Sequence, residues 1–182
     1  SNALAAAAVG IEMGIDAAQV ASLLSSHVAA SVNRMDVRTR ASDGVTIIND
    51  SYNANPESMR AGIDALAFTA KGRREAESWA VLGQMGELGE DATDEHAELG
   101  RVLAQRRIDH AVIVGNGVNQ HALATAARDS GVDTQTVENI DGAVNYLDIS
   151  LNPQDVVLIK ASYSDGLWAV AEGLLIGENQ GA

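Results

Sequence analysis

A chain of 182 residues, 46% of them hydrophobic, can bury one core of moderate size, or one domain and part of another, so general disorder is excluded. Only 12 Lys and Arg stand against 25 Asp and Glu. The formal charge of −13 argues against a basic surface for nucleic acid and fits a solvated acidic exterior. Cysteine is absent, which removes disulfides, thiolate metal ligands and a cysteine nucleophile, and no run approaches the roughly 18 apolar residues of a membrane span. Ser1-Asn2-Ala3 reads as a scar of tag removal. Leu4 to Gly14 and Asp16 to Ser26 read as two short helices joined at Gly14-Ile15-Asp16. No basic stretch precedes Leu4 to Val9, and Glu12 follows soon after, so this is not a signal sequence.

Arg34 to Arg40 and Val45 to Ile48 then flank Ala41-Ser42-Asp43-Gly44, which predicts a hairpin. Asn49-Asp50 ends the second strand, and a helix start follows. Asn55 is a favoured N-cap, Pro56 suits the first helical position, and Glu57 complements the positive end of the helix dipole. Met59, Ile63, Leu66 and Ala70 recur at helical spacing and predict the face that packs on a sheet. Trp79 to Leu82, Ala111 to Val114 and Val156 to Ile159 are predicted buried strands, with Thr134 to Val137 a weaker one. Leu99, Val102 and Leu103, and later Leu167, Val170, Ala171 and Leu174, repeat at three- and four-residue intervals. The alternation predicts an α/β, Rossmann-like domain: a mainly parallel sheet with helices on both faces, introduced by a β-hairpin and preceded by short helices.

Neither of two common phosphate-binding patterns is complete in the sequence. Val114-Gly115-Asn116-Gly117 lies between a predicted strand and a helix, but Gln120 stands where a dinucleotide fingerprint needs its third glycine, so the segment reads as a tight turn. The order Gly-x-x-x-x-Gly-Lys-Ser/Thr does not occur, so the chain by itself is not expected to hold ATP productively. The loop Asp50-Ser51-Tyr52-Asn53-Ala54-Asn55-Pro56 carries the strongest functional signal, because a polar loop at the carboxyl end of a strand is where open α/β sheets bind ligands. His96 has no second histidine at helical ligand spacing, so hydrogen bonding is favoured for it over a metal, and no metal site is predicted.

The order Asp-Ser-Tyr-Asn-Ala-Asn-Pro followed by Ser58-Met59-Arg60 resembles the carboxy-terminal domain of the Mur ligases. So do Leu82-Gly83-Gln84-Met85-Gly86-Glu87-Leu88-Gly89 with His96 downstream, and Leu158-Ile159-Lys160-Ala161-Ser162. The chain departs from the family pattern at Gln84, Tyr163 and Trp168, each of which removes a charge. The resemblance implies that residues 4–33 are the helical tail of a central ATP-binding domain and that 34–182 are the third domain. It further implies that the N-terminal and central domains lie on the same parent chain.

The implied activity is that of a bacterial, cytoplasmic ligase of cell-wall precursor synthesis. With ATP and Mg²⁺ it adds D-alanyl-D-alanine to UDP-N-acetylmuramoyl-tripeptide through an acyl phosphate, and the fragment alone is expected to be inactive. The resemblance assigns Arg34 and Asp50 to the nucleotide, Asn53, Asn55, Lys160 and Ser162 to the substrate, and supporting roles to Tyr52 and His96. Asn53 and Asn55 either bind the dipeptide or fix the loop, Asn55 as the predicted N-cap, and Asp50 is also a turn-capping side chain. The alternatives are another, amino-acid-adding Mur ligase, or a non-catalytic Rossmann-like binding or docking domain.

Overall fold

The computed structural model describes residues 2–25 and 33–176 and falls into two compact units, Ser1–Ser31 and Val32–Ala182. The first holds α1 (Asn2–Glu12) and α2 (Ala17–Ser25). Gly14 at φ +85° turns the chain between them, and the Asp16 carboxylate accepts from the amides of Ala18 and Gln19 at the start of α2. Ser26, where the sequence expectation ended the second helix, lies outside the described residues, as does Ser1.

The second unit is a six-stranded sheet. Its strands are β1 (Asp36–Thr39), β2 (Thr46–Asn49), β3 (Ser78–Leu82), β4 (His110–Val114), β5 (Asp133–Val137) and β6 (Val156–Lys160), in the order β1-β2-β6-β3-β4-β5. β1 pairs antiparallel with β2, and every other pair is parallel. The predicted hairpin closes as expected around 41–44: Arg40 N–H donates to Val45 O at 2.8 Å, and Gly44 takes the left-handed conformation at φ +77°. Its floor is fixed by the Asp43 carboxylate, which accepts from the Val45 amide and pairs with Arg40 at 2.6 Å.

The helices are α3 (Pro56–Lys71), α4 (Ala92–Gln105), α5 (Val118–Asp129), α6 (Ile140–Ser150) and α7 (Trp168–Leu175). Strand side chains alternate between two faces, so Ile48, Ala80, Leu82 and Leu158 join the core under α3, α4 and α5. Ile47, Trp79, Val81 and Ile159 face the opposite layer, where α6 and α7 supply Ala143, Leu147, Leu167, Val170 and Leu174. The fold is the doubly covered, mainly parallel α/β sheet that the periodicity predicted. α6 has no counterpart among the predicted helices, since its two buried side chains, Ala143 and Leu147, make too narrow an apolar stripe.

Opposite the carboxyl edge of the parallel strands, the buried Asp155 side chain accepts from the amides of Glu77 and Asn152 and from the indole N–H of Trp79 at 3.0 Å, which fixes the starts of β3 and β6. The turn after β4 bears out the reading as a glycine-supported reversal. Gly115 sits at φ +105°, and the side chain of Gln120 lies against both Gly115 and Gly117, so the space a pyrophosphate would need is filled by the chain itself. No helix of the described residues is long and apolar enough to cross a membrane.

Candidate functional site at the carboxyl edge of the sheet

Strand order locates the site. β2 and β3 lead into α3 and α4 on one face, whereas β6, which lies between them, leads into α7 on the other. The connections on either side of β6 therefore part in opposite directions, and crevices open between the loops after β2, β6 and β3. Asp50, Tyr52, Asn53 and Asn55 occupy the first loop, Ser162 the second, and Gly83 to Glu87 the third; Lys160 ends the strand between them.

Lys160 is the centre of this edge. It is only 2% exposed, and its stem runs from β6 across Gly62 of α3, where a Cβ would come within 3.1 Å of Lys160 Cδ. Its ammonium meets Asp50 Oδ2 at 2.5 Å, Asn53 O at 2.9 Å and Asp50 O at 3.3 Å. An ammonium has three N–H donors, so these acceptors account for all of them. The geometry ties Lys160 to the loop after β2, with its donors committed to Asp50 and Asn53.

Asp50 passes the constraint on. Its Oδ1 accepts from the Met35 amide at 3.1 Å, while Asn33 O accepts from the Tyr52 amide and the Asn33 side chain accepts from Asn49 Nδ2. Arg34 is thus held between Asn33 at φ 63° and Met35 at φ 47°, two residues in a backbone region that L side chains rarely adopt. Such conformations persist where the surroundings over-determine them. Here they turn Arg34 onto Tyr52, with its guanidinium carbon 4.2 Å from the ring centroid, and Tyr163 packs on Tyr52 with centroids 6.0 Å apart. A guanidinium held over an aromatic ring retains planar, permanently charged N–H donors of the kind that phosphate oxygens accept from.

Asn55 performs the predicted N-cap role in a reciprocal box: its side chain accepts from the Ser58 amide at 2.8 Å, and its own amide donates to Ser58 Oγ at 3.1 Å. Asn53 folds its Oδ1 back onto the Ala54 amide at 2.8 Å, and the residue is exposed at the mouth of the loop. Ser162 is partly exposed, with its hydroxyl 3.2 Å from that of Ser164.

Successive amides of the loop after β3 all find acceptors. Gly83 donates to Lys160 O at 3.1 Å, Gln84 to Asp165 Oδ2 at 2.6 Å, and Met85 to His96 Nε2 at 2.9 Å. His96 is fully buried, and its Nδ1 lies 2.6 Å from Ala92 O, which can only accept. The imidazole therefore carries its proton on Nδ1 and holds the loop through Nε2, the hydrogen-bonding role expected of it. Asp165 was not anticipated from the sequence; its one signal is the turn dipeptide Asp165-Gly166, in which Gly166 has φ 67°. Burial pushes its carboxyl above the ordinary value of 3.8, while the Gln84 N–H pulls it part of the way back.

The Mur ligase, glutamate ligase domain, matches residues 33–163. The chain belongs to the Mur ligase family. All of this Mur ligase chain aligns at 44% identity with the UDP-N-acetylmuramoyl-tripeptide–D-alanyl-D-alanine ligase of Mycobacterium bovis, and it spans 38% of that protein's length. Among solved structures, MurF from Acinetobacter baumannii superposes with a TM-score of 0.79 at 27% identity, over 96% of this chain and 37% of that one. MurF ligase from Thermotoga maritima, solved in complex with ADP, gives a TM-score of 0.70 at 25% identity over 96% and 37% of the two chains.

Among the described residues no group of three or more His, Asp or Glu could hold a metal.

Proposed function

We propose that the protein containing this chain joins D-alanyl-D-alanine to UDP-N-acetylmuramoyl-tripeptide in the bacterial cytoplasm, using ATP and Mg²⁺, and that this chain supplies its third domain. The observation that carries the reading is the 44% identity with a D-alanyl-D-alanine-adding ligase along the entire chain, which includes every residue of the carboxyl-edge site. Residues 4–33 would close the central ATP-binding domain and 34–182 would form the third, with the N-terminal and central domains elsewhere on the parent.

In this reading ATP phosphorylates the tripeptide carboxylate, the dipeptide amine attacks the acyl phosphate, and inorganic phosphate leaves. Arg34, seated over the Tyr52 ring, donates to nucleotide phosphate oxygens. Asp50 fixes the segment that bears Arg34 and lies at the ribose. Asn53 and Ser162 offer amide and hydroxyl groups to the dipeptide from adjoining loops. Approach of this domain to the central one would exclude water from the acyl phosphate, which otherwise hydrolyses.

The test is phosphate release by the full-length protein with ATP, UDP-tripeptide and D-alanyl-D-alanine. Release should require the dipeptide, and Arg34→Ala should lower it about 10²-fold or more, the scale on which a charge-stabilising donor acts. A folded full-length protein without dipeptide-dependent release would overturn the reading.

A further inference from the structure

The second crevice, between the loops after β3 and β6, contains a carboxylate that the roles above do not use. Asp165 lies in the 3-10 turn Tyr163–Asp165, and one of its oxygens is committed to the Gln84 amide at 2.6 Å. Among the described residues the other oxygen has no hydrogen-bond donor and is not sealed from solvent. The hydroxyls of Ser162 and Ser164 stand on the same turn, and Gly86 faces Ser162 across the gap with no side chain to close it. No Lys or Arg is hydrogen-bonded to Asp165 among the described residues; the groups that bear on it are the Gln84 N–H from the β3 loop and the His96 imidazole from α4. A free carboxylate oxygen on a turn that also carries two hydroxyls supplies the kinds of acceptor an ammonium group takes, one charged and others neutral.

We propose that Asp165 binds the ammonium of the incoming dipeptide and removes its proton, so that the amine reaches the acyl phosphate uncharged. This rests on the ligase reading above. The chemistry requires such a group, because an α-amine with a pKa of about 8 arrives mostly protonated at neutral pH and has then no lone pair. The proton passes from nitrogen to Asp165. The freed lone pair forms the C–N bond, the bond from the acyl carbon to the phosphate oxygen breaks, and its electron pair leaves with the phosphate. The second amine proton departs with that phosphate, and Asp165 returns its own proton to water. The burial that lifts its carboxyl above the usual aspartate range also makes it a better proton acceptor than an exposed aspartate.

The test uses the full-length protein and Asp165→Asn, which keeps an oxygen for the Gln84 amide and so preserves the tie between the loops. Two nucleophiles are compared: D-alanyl-D-alanine, and hydroxylamine, which is uncharged at neutral pH and traps the acyl phosphate without a base. Asp165→Asn should lower kcat/KM for the dipeptide at pH 7 by about 10²-fold or more, with the rate recovering as pH rises and the dipeptide amine loses its own proton. Hydroxamate formation should stay within about threefold of the wild type, since it needs activation only. Dipeptide turnover in Asp165→Asn near the wild-type rate would overturn the proposal. So would a parallel fall with both nucleophiles, which would make Asp165 a loop tie alone. Absence of dipeptide-dependent release in the wild type would instead overturn the ligase reading on which the proposal rests.

Discussion

At the scale of single residues, Lys160 and Asp165 show two opposite ways of placing charge at a sheet edge. Lys160 is sealed in, with three oxygens around its ammonium. Lys160→Met keeps much of the stem's volume but leaves the Asp50 carboxylate and two carbonyls without their donor, and removing one partner of a buried pair is strongly destabilising. A loss of about 3 kcal/mol is expected from urea unfolding, with an unchanged m-value. Asp165 is a half-buried acid whose pKa is raised, so folding favours its protonated form. Its contribution to stability is fully present below the ordinary value of 3.8 and is lost as pH rises through the higher folded value. Asp165→Asn removes that dependence. Relative to the wild type, the variant should therefore gain stability between pH 3 and pH 7, as followed by thermal unfolding across that range.

At the scale of elements, the closest packing is between α4 and α5. A Cβ on Gly100 would meet Leu123 O at 2.5 Å and Ala127 N at 2.7 Å, backbone atoms that cannot rotate away. Gly100→Ala must push the helices apart and should lower stability by about 3 kcal/mol in denaturant unfolding, despite the better helix propensity of alanine. Much at this scale was legible in the sequence. Asn55, Pro56 and the spacing from Met59 to Ala70 specify α3, because capping and periodicity are local properties. The strand of Asp133–Val137 gave a weak signal for a physical reason: it lies at the sheet edge, none of its five residues is buried, and its polar side chains need no apolar neighbours. Lys160 was legible as a residue of interest, since it is one of two lysines, but its three acceptors lie more than a hundred positions away in sequence. The partner of His96 was equally hidden. That pairing depends on where the loop after β3 returns, which no local pattern encodes.

At the scale of the whole molecule, alternating strands and helices predict a parallel sheet, but not the order of its strands. Order is set by long-range pairing, and here it places the last strand of the described residues third, between β2 and β3. The site owes its two crevices to that insertion, and the insertion also bears on how the protein is made. While the ribosome is still translating, β2 and β3 wait with bare edges and the buried side chains of two faces uncovered, because Val156–Lys160 is not yet synthesised. Exposed edges of this kind invite pairing with other chains. The nascent polypeptide is therefore most vulnerable just before its final strand emerges, and a premature stop codon anywhere upstream of Val156 removes the keystone of the sheet rather than a peripheral tail.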